Sequence, residues 1–180
     1  VYGKSTAILT ESNATQPESF YGASKLAAEH LVRQYREFFQ VDILRLFTVY
    51  GPGQKGMLIP NIIERMRTGQ PITLAEGVGL YLTPVYVGDV VAIIEMLIET
   101  PSKATARLLN VCGDKVIRLC EIVSTIEFVI GTQARTQFTD EKTQYFTGSN
   151  AALKELLGPL SLTDIETGLA IAVKDTSGFH

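Results

Sequence analysis

The stretch from Ser19 to Gly53, SFYGASKLAAEHLVRQYREFFQVDILRLFTVYGPG, decides the fold. In its first half, apolar and aromatic residues recur every three or four positions, the spacing of one face of a helix. They are Ala23, Leu26, Ala27, Leu31, Tyr35 and Phe38. Ser19 stands where it can cap the start of this helix. The mostly apolar, β-branched and aromatic run Val41–Tyr50 comes next and ends at Gly51-Pro52-Gly53, which predicts a buried strand followed by a turn.

The same two patterns alternate along the rest of the chain. Helices are predicted over Leu58–Met66, Val90–Ile98, Leu119–Ile130, Ala151–Leu157 and Thr163–Lys174. Extended segments are predicted over Pro71–Ala75, Tyr81–Val87, Arg107–Val111 and Thr136–Phe138. Asp89 directly precedes one of the helices and is predicted to be its N-cap. Strands that alternate with helices indicate an α/β fold with a largely parallel sheet.

Composition excludes several classes of protein. A chain of 180 residues predicts one domain, or one large lobe with a small appendage. Its 16 Lys and Arg against 19 Asp and Glu give no basic surface for nucleic acid. No apolar run approaches the roughly 20 residues that cross a membrane, and no signal peptide opens the chain, so a cytoplasmic protein is expected. Cys112 and Cys120 lack the pairing of a zinc site, which predicts two reduced thiols and no metal.

The sharpest local feature is Tyr21 with Lys25, four positions later. Residues at this spacing share a face of a helix, so the phenol and the ammonium lie side by side. A fixed cation favours the ionised form of a phenol, and a tyrosine in such a pair can exchange protons with a substrate. Taken alone, however, a Tyr and a Lys four residues apart are more often an ordinary helix surface.

The glycines after the first strand allow two interpretations. Residues 51–56, GPGQKG, match the dinucleotide fingerprint G-x-G-x-x-G, and Glu76 follows at a suitable distance. The fingerprint helix, however, starts within the glycines, which would place Pro60 beyond its first turn, where proline breaks a helix. A simple turn after the strand is therefore the favoured interpretation.

Six sequence blocks, in this order and spacing, carry a resemblance. They are Val1-Tyr2-Gly3 with Glu11 and Pro17, Tyr21-Gly22-Ala23-Ser24-Lys25 with Glu29, Leu44–Gly53, Ile59-Pro60, Val85–Val90, and Leu109-Asn110-Val111. Together they resemble the extended short-chain dehydrogenase/reductase family and, within it, the NAD-dependent epimerases and dehydratases of nucleotide sugars. The blocks extend over nearly the whole chain.

The resemblance implies a fold and a division of the chain. We expect part of a Rossmann-like parallel sheet with helices and a small α/β substrate-binding lobe, with the N-terminal cofactor-binding half of the family absent from this sequence. Residues 1–53 are expected to form the C-terminal part of the Rossmann-like domain, including the YxxxK helix. Residues 54–180 are expected to form mainly the substrate lobe, with some segments returning to the main sheet. The family's glycine fingerprint and catalytic Ser or Thr are expected ahead of Val1.

The resemblance also implies roles for individual residues. Tyr21 corresponds to the catalytic tyrosine and Lys25 to the lysine that activates it and binds the nicotinamide ribose. The implied cofactor-binding residues are Tyr21, Lys25, Leu46 and Phe47, and the implied substrate-binding residues are Thr48, Met57 and Leu58. The cofactor implied for the whole enzyme is NAD, which the chain by itself is not expected to hold.

Three departures from the family pattern concern the substrate phosphates. Leu82 and Thr83 stand where many relatives carry the Arg-Asp pair whose arginine clamps the diphosphate. Met57 replaces a frequent asparagine, and residues 140–147 contain no arginine. Either the substrate is atypical or the phosphates are held elsewhere, for instance by Lys55, Arg65 or Arg67.

The function expected from the resemblance is that of the C-terminal portion of a nucleotide-sugar epimerase or dehydratase, inactive as an isolated chain. Two alternatives stay open: a non-enzymatic module that binds a nucleotide sugar or packs against a separate chain, and a nucleotide-sugar reductase or decarboxylase. The residues that separate epimerases from dehydratases in the family precede the Val1 block. The helix of Tyr21 and Lys25 commonly builds the dimer of such enzymes, so a homodimer is expected, with His30 in packing or at the interface.

Overall fold

The computed structural model describes residues 1–101 and 105–175 and shows the predicted alternation of helices and strands. The helices are α1 Phe20–Gln34, α2 Leu58–Arg67, α3 Val87–Glu99, α4 Leu119–Ile130, α5 Ala151–Leu157 and α6 Ile165–Asp175, with a short 3-10 turn at Tyr35–Glu37. The strands are β1 Val41–Leu46, β2 Val49–Tyr50, β3 Ile72–Ala75, β4 Tyr81–Leu82, β5 Val85–Tyr86, β6 Ala106–Val111, β7 Ile117–Arg118, β8 Thr136–Thr139 and β9 Tyr145–Phe146.

Most strand pairs are parallel, which confirms the predicted α/β class. β1 pairs with β6, with Val41 opposite Ala106 and Leu46 opposite Val111. β2 pairs with β5, and β3 with β8, also in parallel. β4 lies between β9, which is parallel to it, and β7, which is antiparallel. The β1–β6 pair joins the first part of the chain to the second, and the expected boundary near residue 53 stays a prediction.

The prediction of one strand over Val41–Tyr50 was wrong, because the strand breaks at Phe47 and Thr48. Thr48 has φ of 42°, a left-handed conformation that is uncommon for a β-branched residue. The chain changes its hydrogen-bonding partner at this point. The Phe47 N–H donates to Val111 of β6, whereas the Thr48 carbonyl accepts from Val85 of β5. The break therefore carries the chain from one strand pair to the next.

Asp89 is not the N-cap that the sequence predicted. α3 begins earlier, at Val87, with Tyr86 in the N-cap position, so Asp89 lies inside the first turn. Its carboxylate accepts the backbone N–H of Thr163 at 2.9 Å and the hydroxyl of the same residue at 2.8 Å. Asp89 thus ties α3 to the segment that leads into α6. The predicted strand over Tyr81–Val87 is likewise divided into β4 and β5.

Helix α1 forms as predicted but is almost uncovered. Ser19 caps it, since its Oγ accepts the N–H of Gly22 at 3.0 Å. Gly22 is nevertheless the one buried residue of α1, and the apolar face of the helix lies largely open, with Leu31 68% exposed. His30 is exposed as well. No other element of the described residues covers this face.

The hydrophobic core lies mainly among residues 50–173, away from the exposed face of α1. Its largest cluster joins β2, β3 and β4 with α2, α4 and α6, and includes Tyr50, Ile63, Ile126 and Leu169. A second cluster joins β5, β6, α3 and α5. A small third cluster of Leu9, Phe47 and Cys112 lies under the N-terminal segment. The helices in the two main clusters, α2 to α6, are stabilised because each buries an apolar face there.

The cysteines are free thiols, Cys112 buried and Cys120 half-buried. Within residues 1–101 and 105–175, no group of His, Cys, Asp and Glu side chains is placed to hold a metal ion. His180 lies outside the described residues. Over the same ranges, every helix is too short or too polar to cross a membrane.

Candidate active site

Tyr21 and Lys25 lie side by side on α1, as their spacing predicted. The Lys25 Nζ is 5.3 Å from the centroid of the Tyr21 ring, a cation–π distance. The Tyr21 side chain is not packed into the interior, since 72% of the residue is exposed. Both side chains border a cavity of about 1480 Å³. The phenol and the ammonium are therefore together and within reach of a ligand.

The cavity lies between α1, β1, the first six residues of the chain and the loop of residues 141–146. The end of β1 and the break that follows it form part of its wall, through Leu46, Phe47 and Thr48. Five of the residues that the resemblance implied are thus brought together around one cavity. The structure joins them because the chain returns from the end of α1 along β1, so that the end of the strand and the start of the helix border the same cavity.

Met57 and Leu58 are not part of this wall. Met57 precedes α2 and is 55% exposed, whereas Leu58 packs in part against the largest core cluster. A role for these two residues in substrate binding stays a prediction.

Two of the positions that depart from the family pattern, Leu82 and Thr83, are buried in this chain. Leu82 and Thr83 are 1% and 2% exposed, and the Thr83 hydroxyl accepts the N–H of Gly148 at 3.0 Å. Neither side chain is accessible to a substrate. Among the suggested substitutes, Arg65 and Arg67 each donate to a main-chain carbonyl of this chain, at 2.7 Å.

The glycine-rich segment forms a turn. α2 begins at Leu58, after the last glycine, so that Pro60 falls within the first helical turn, where proline is tolerated. Gly53 and Gly56 adopt left-handed φ of 73° and 67°. The Gly53 N–H donates to the Asp175 carboxylate at 2.6 Å, so a side chain of this chain already occupies it.

Sequence reasoning missed a polar network that forms part of the cavity wall through Tyr2, Glu29 and Arg45. The Glu29 carboxylate binds Arg45 through two hydrogen bonds, and the Arg45 guanidinium lies 4.6 Å from the centroid of the Tyr2 ring. The Tyr2 hydroxyl donates to the Asn110 side chain at 2.8 Å, and the Asn110 N–H donates to Glu11 at 2.6 Å. Burial lowers the pKa of Arg45, but the interactions with Glu29 and Tyr2 together outweigh that effect and raise the pKa overall. All five residues lie in the quoted blocks, which was the available signal.

Residues 1–112 of the chain match the NAD dependent epimerase/dehydratase family. The chain belongs to this family. Among curated relatives, it is 30% identical over 144 residues to the uncharacterized UDP-glucose epimerase YtcB of Bacillus subtilis, covering 78% of this chain and 45% of that protein. It is 28% identical over 192 residues to UDP-glucuronate 4-epimerase 1 of Arabidopsis thaliana, covering 94% and 45%. The chain thus spans about half the length of these relatives.

Solved structures of the family share the fold. The UDP-glucuronic acid 4-epimerase of Bacillus cereus, in complex with UDP-glucuronic acid and NAD, matches with a TM-score of 0.87 and 26% identity over 98% of this chain and 58% of its own. MoeE5 in complex with the same two ligands matches with a TM-score of 0.86, also at 26% identity. The fold is therefore that part of a Rossmann-like epimerase which the sequence predicted.

Proposed function

We propose that this chain supplies the catalytic tyrosine and the substrate lobe of an NAD-dependent nucleotide-sugar epimerase or dehydratase. The observation that carries the proposal is the Tyr21–Lys25 pair, which borders a large cavity in the fold of this family. We further propose that the whole enzyme uses NAD and a nucleotide sugar. The solved relatives bound to UDP-glucuronic acid and NAD support this assignment.

The described residues fit one end of NAD. Tyr21, Lys25, Leu46 and Phe47 share the cavity and would hold the nicotinamide and its ribose. The pyrophosphate needs a glycine-rich turn with free N–H groups at a helix N-terminus. In the described part of the chain, the candidate turn is closed by the Gly53–Asp175 bond, so another part of the enzyme must bind this group. When bound, NAD accepts a hydride from a sugar carbon.

The residues of this chain carry out the proton transfer to and from the sugar hydroxyl. As a phenolate, Tyr21 takes the proton from the sugar hydroxyl when that carbon is oxidised, and the phenol so formed returns the proton when the carbon is reduced. The Lys25 ammonium stabilises the negative charge that develops on the phenol oxygen. Phe47 and Thr48 line the same cavity, where Phe47 offers an apolar surface and Thr48 a hydroxyl for hydrogen bonding to a substrate.

One experiment uses the chain joined behind the N-terminal half of the Bacillus cereus epimerase. We expect conversion of a UDP-sugar, and a fall in kcat of about 10²- to 10⁴-fold for Tyr21→Phe, because general acid–base catalysis is lost. Tyr35→Phe, which alters an exposed tyrosine of the adjoining 3-10 turn, is the matched control and is expected to leave kcat unchanged. Equal rates for Tyr21→Phe and the unmutated hybrid would contradict the proposal.

A second experiment tests the alternative of a binding module. The 180-residue chain is purified and its NAD content measured by mass spectrometry, and UDP-glucuronic acid and UDP-glucose are titrated calorimetrically. We expect no stoichiometric NAD, since the Gly53 N–H of the candidate pyrophosphate turn already donates to Asp175. Tight binding of a UDP-sugar without NAD would favour the module, and bound NAD would show that the chain is self-sufficient.

We also propose that the chain forms a homodimer through α1. The exposed apolar residues on this helix and just after it support the proposal, because monomers rarely leave such a surface open. They are Leu31, Val32, Tyr35, Phe38 and Phe39. Sedimentation velocity over a range of concentrations tests it, and a monomer throughout would contradict it.

A further inference from the structure

The face of α1 that carries the proposed catalytic pair also carries an ion pair. Tyr21, Lys25 and Glu29 follow one another at intervals of four residues, so they line one face of the helix. From the helical rise, Glu29 lies about 6 Å from Lys25 and about 12 Å from Tyr21 along the axis. Its two carboxylate oxygens accept from Nε and Nη2 of Arg45, at 3.0 and 2.7 Å. This geometry fixes both the distance and the direction of the contact.

Arg45 is itself held firmly. It lies on β1, directly opposite Asn110 of β6. The Tyr2 ring lies against its guanidinium, and the Tyr2 hydroxyl binds Asn110. The Arg45 and Glu29 side chains are only 8% and 15% exposed, so water competes little for their charges. Glu29 is therefore bound to a fixed point of the sheet.

The remainder of α1 offers little to hold its orientation. Gly22 is the one residue of the helix that is buried, and it lies in the first turn beside Pro17 and Ser19. Beyond the first turn only Leu26 and Glu29 are even half-buried, so a helix with so little burial can tilt and rotate about its axis unless a specific contact fixes it. The Glu29–Arg45 contact, two turns further along, supplies the second point that removes this freedom.

We propose that Arg45 is the positioning residue of the Tyr21–Lys25 pair. By binding Glu29 it sets the rotation of α1, so that the phenol and the ammonium face the cavity. The proposal rests on the proposed function, because it assigns to Arg45 a part in the same reaction. A mere contribution to folding stability is the alternative, and it predicts lower stability without a change in the direction of α1.

The chain offers a matched control in Arg118 and Glu121. These residues also form an Arg–Glu pair with two side-chain hydrogen bonds, each 3.1 Å long, but at the start of α4 and with about half of each side chain exposed. Arg118→Ala removes the same kind of interaction away from α1.

The first experiment measures the orientation of α1 in the 180-residue chain. Spin labels are attached at Ala27→Cys on α1 and Phe128→Cys on α4, both exposed, with Cys112 and Cys120 replaced by alanine. We expect double electron–electron resonance to give one narrow distance distribution. Arg45→Ala should broaden or shift it, Arg45→Lys should restore part of the narrow distribution, and Arg118→Ala should leave it unchanged. An unchanged distribution in Arg45→Ala overturns the proposal.

The second experiment measures kinetics in the hybrid with the Bacillus cereus half. We expect Arg45→Ala to lower kcat about 100-fold with KM within threefold, because a displacement of about 1 Å costs this much when binding is retained. Arg118→Ala should leave both constants unchanged, and Arg45→Lys should recover part of kcat. A fall in kcat without a change in the distance distribution, or no fall at all, overturns the proposal.

The two measurements separate the possible failures. If the unmutated hybrid is inactive, the proposed function fails, while the distance distributions still decide whether Arg45 orients α1. If circular dichroism shows that Arg45→Ala does not fold, Arg45→Lys and Glu29→Gln take its place. Both should broaden the distribution, and two narrow distributions identical to the unmutated one overturn the proposal.

Discussion

Helices α1 and α6 have opposite surroundings in this molecule. Leu169 of α6 is completely buried in a cluster with α2 and α4, whereas Leu31 of α1 is 68% exposed. Both helices form, but for different reasons. α6 is stabilised by the apolar surface that it buries. α1 is stabilised by the Ser19 cap, by the helix propensity of its residues and by the Glu29–Arg45 ion pair. The helix with the proposed chemistry is thus the one that the described chain covers least.

Burial, and with it folding stability, is therefore concentrated away from the helix that carries the proposed catalytic pair. The cluster around α2, α4 and α6 is closed by its own hydrophobic contacts, so changes there should alter folding. The α1 side is open, so changes there should alter orientation and partner binding more than stability. Three predictions test this difference between α1 and α6.

The largest effect is expected from truncating a buried leucine. Leu169→Ala should lower the free energy of unfolding by about 3 kcal/mol, from lost burial and from the cavity left behind. Leu31→Ala should change it by less than about 0.5 kcal/mol, as exposed substitutions usually do. Urea denaturation followed by circular dichroism measures both values. Equal losses at a protein concentration at which sedimentation velocity shows a monomer would mean that α1 is packed within the chain, and would contradict the difference between α1 and α6.

A smaller effect is expected from adding one methyl group to each helix. A Cβ at Gly168 would lie 2.2 Å from the Tyr50 hydroxyl, so Gly168→Ala should cost about 2 kcal/mol through overpacking. At Gly22 the nearest atom is the Pro17 Cβ, at 3.0 Å, and alanine also favours a helix by about 1 kcal/mol. Gly22→Ala should therefore stay within about 1 kcal/mol of the unmutated chain. Adding Tyr50→Phe to Gly168→Ala should recover part of the loss, and no recovery would refute the assigned clash.

The smallest effect concerns the buried thiol of Cys112, which packs with Leu9 and Phe47. Burial raises the pKa of Cys112 from about 9 to about 12. The unfolded chain then loses its thiol proton first, so the free energy of unfolding falls as pH rises from about 9 towards 12. Between pH 8 and pH 10 we expect Cys112 to contribute about 1 kcal/mol of this fall. Cys112→Ala should show a shallower decline by that amount in urea denaturation, and parallel declines would contradict the prediction.

The sequence predicted the elements with strong local signals. The cap at Ser19 and the limits of α4 and α5 follow from the short-range rules that act in any peptide. The break at Thr48 and the role of Asp89 were predicted wrongly. In both cases a distant residue supplies the partner, Val85 for one and Thr163 for the other, and no local pattern contains that partner.

The candidate site divides in the same way. Spacing alone placed Tyr21 and Lys25 on one face of a helix, because helical geometry is fixed by the backbone. Only the tertiary structure showed that Leu46, Phe47 and Thr48 share their cavity and that Leu82 and Thr83 are buried. It also showed which charges meet, since Glu29 and Arg45 are 16 residues apart in sequence and their contact depends on how α1 lies on β1. Local chemistry determined which groups can react, and long-range packing decided which way they face.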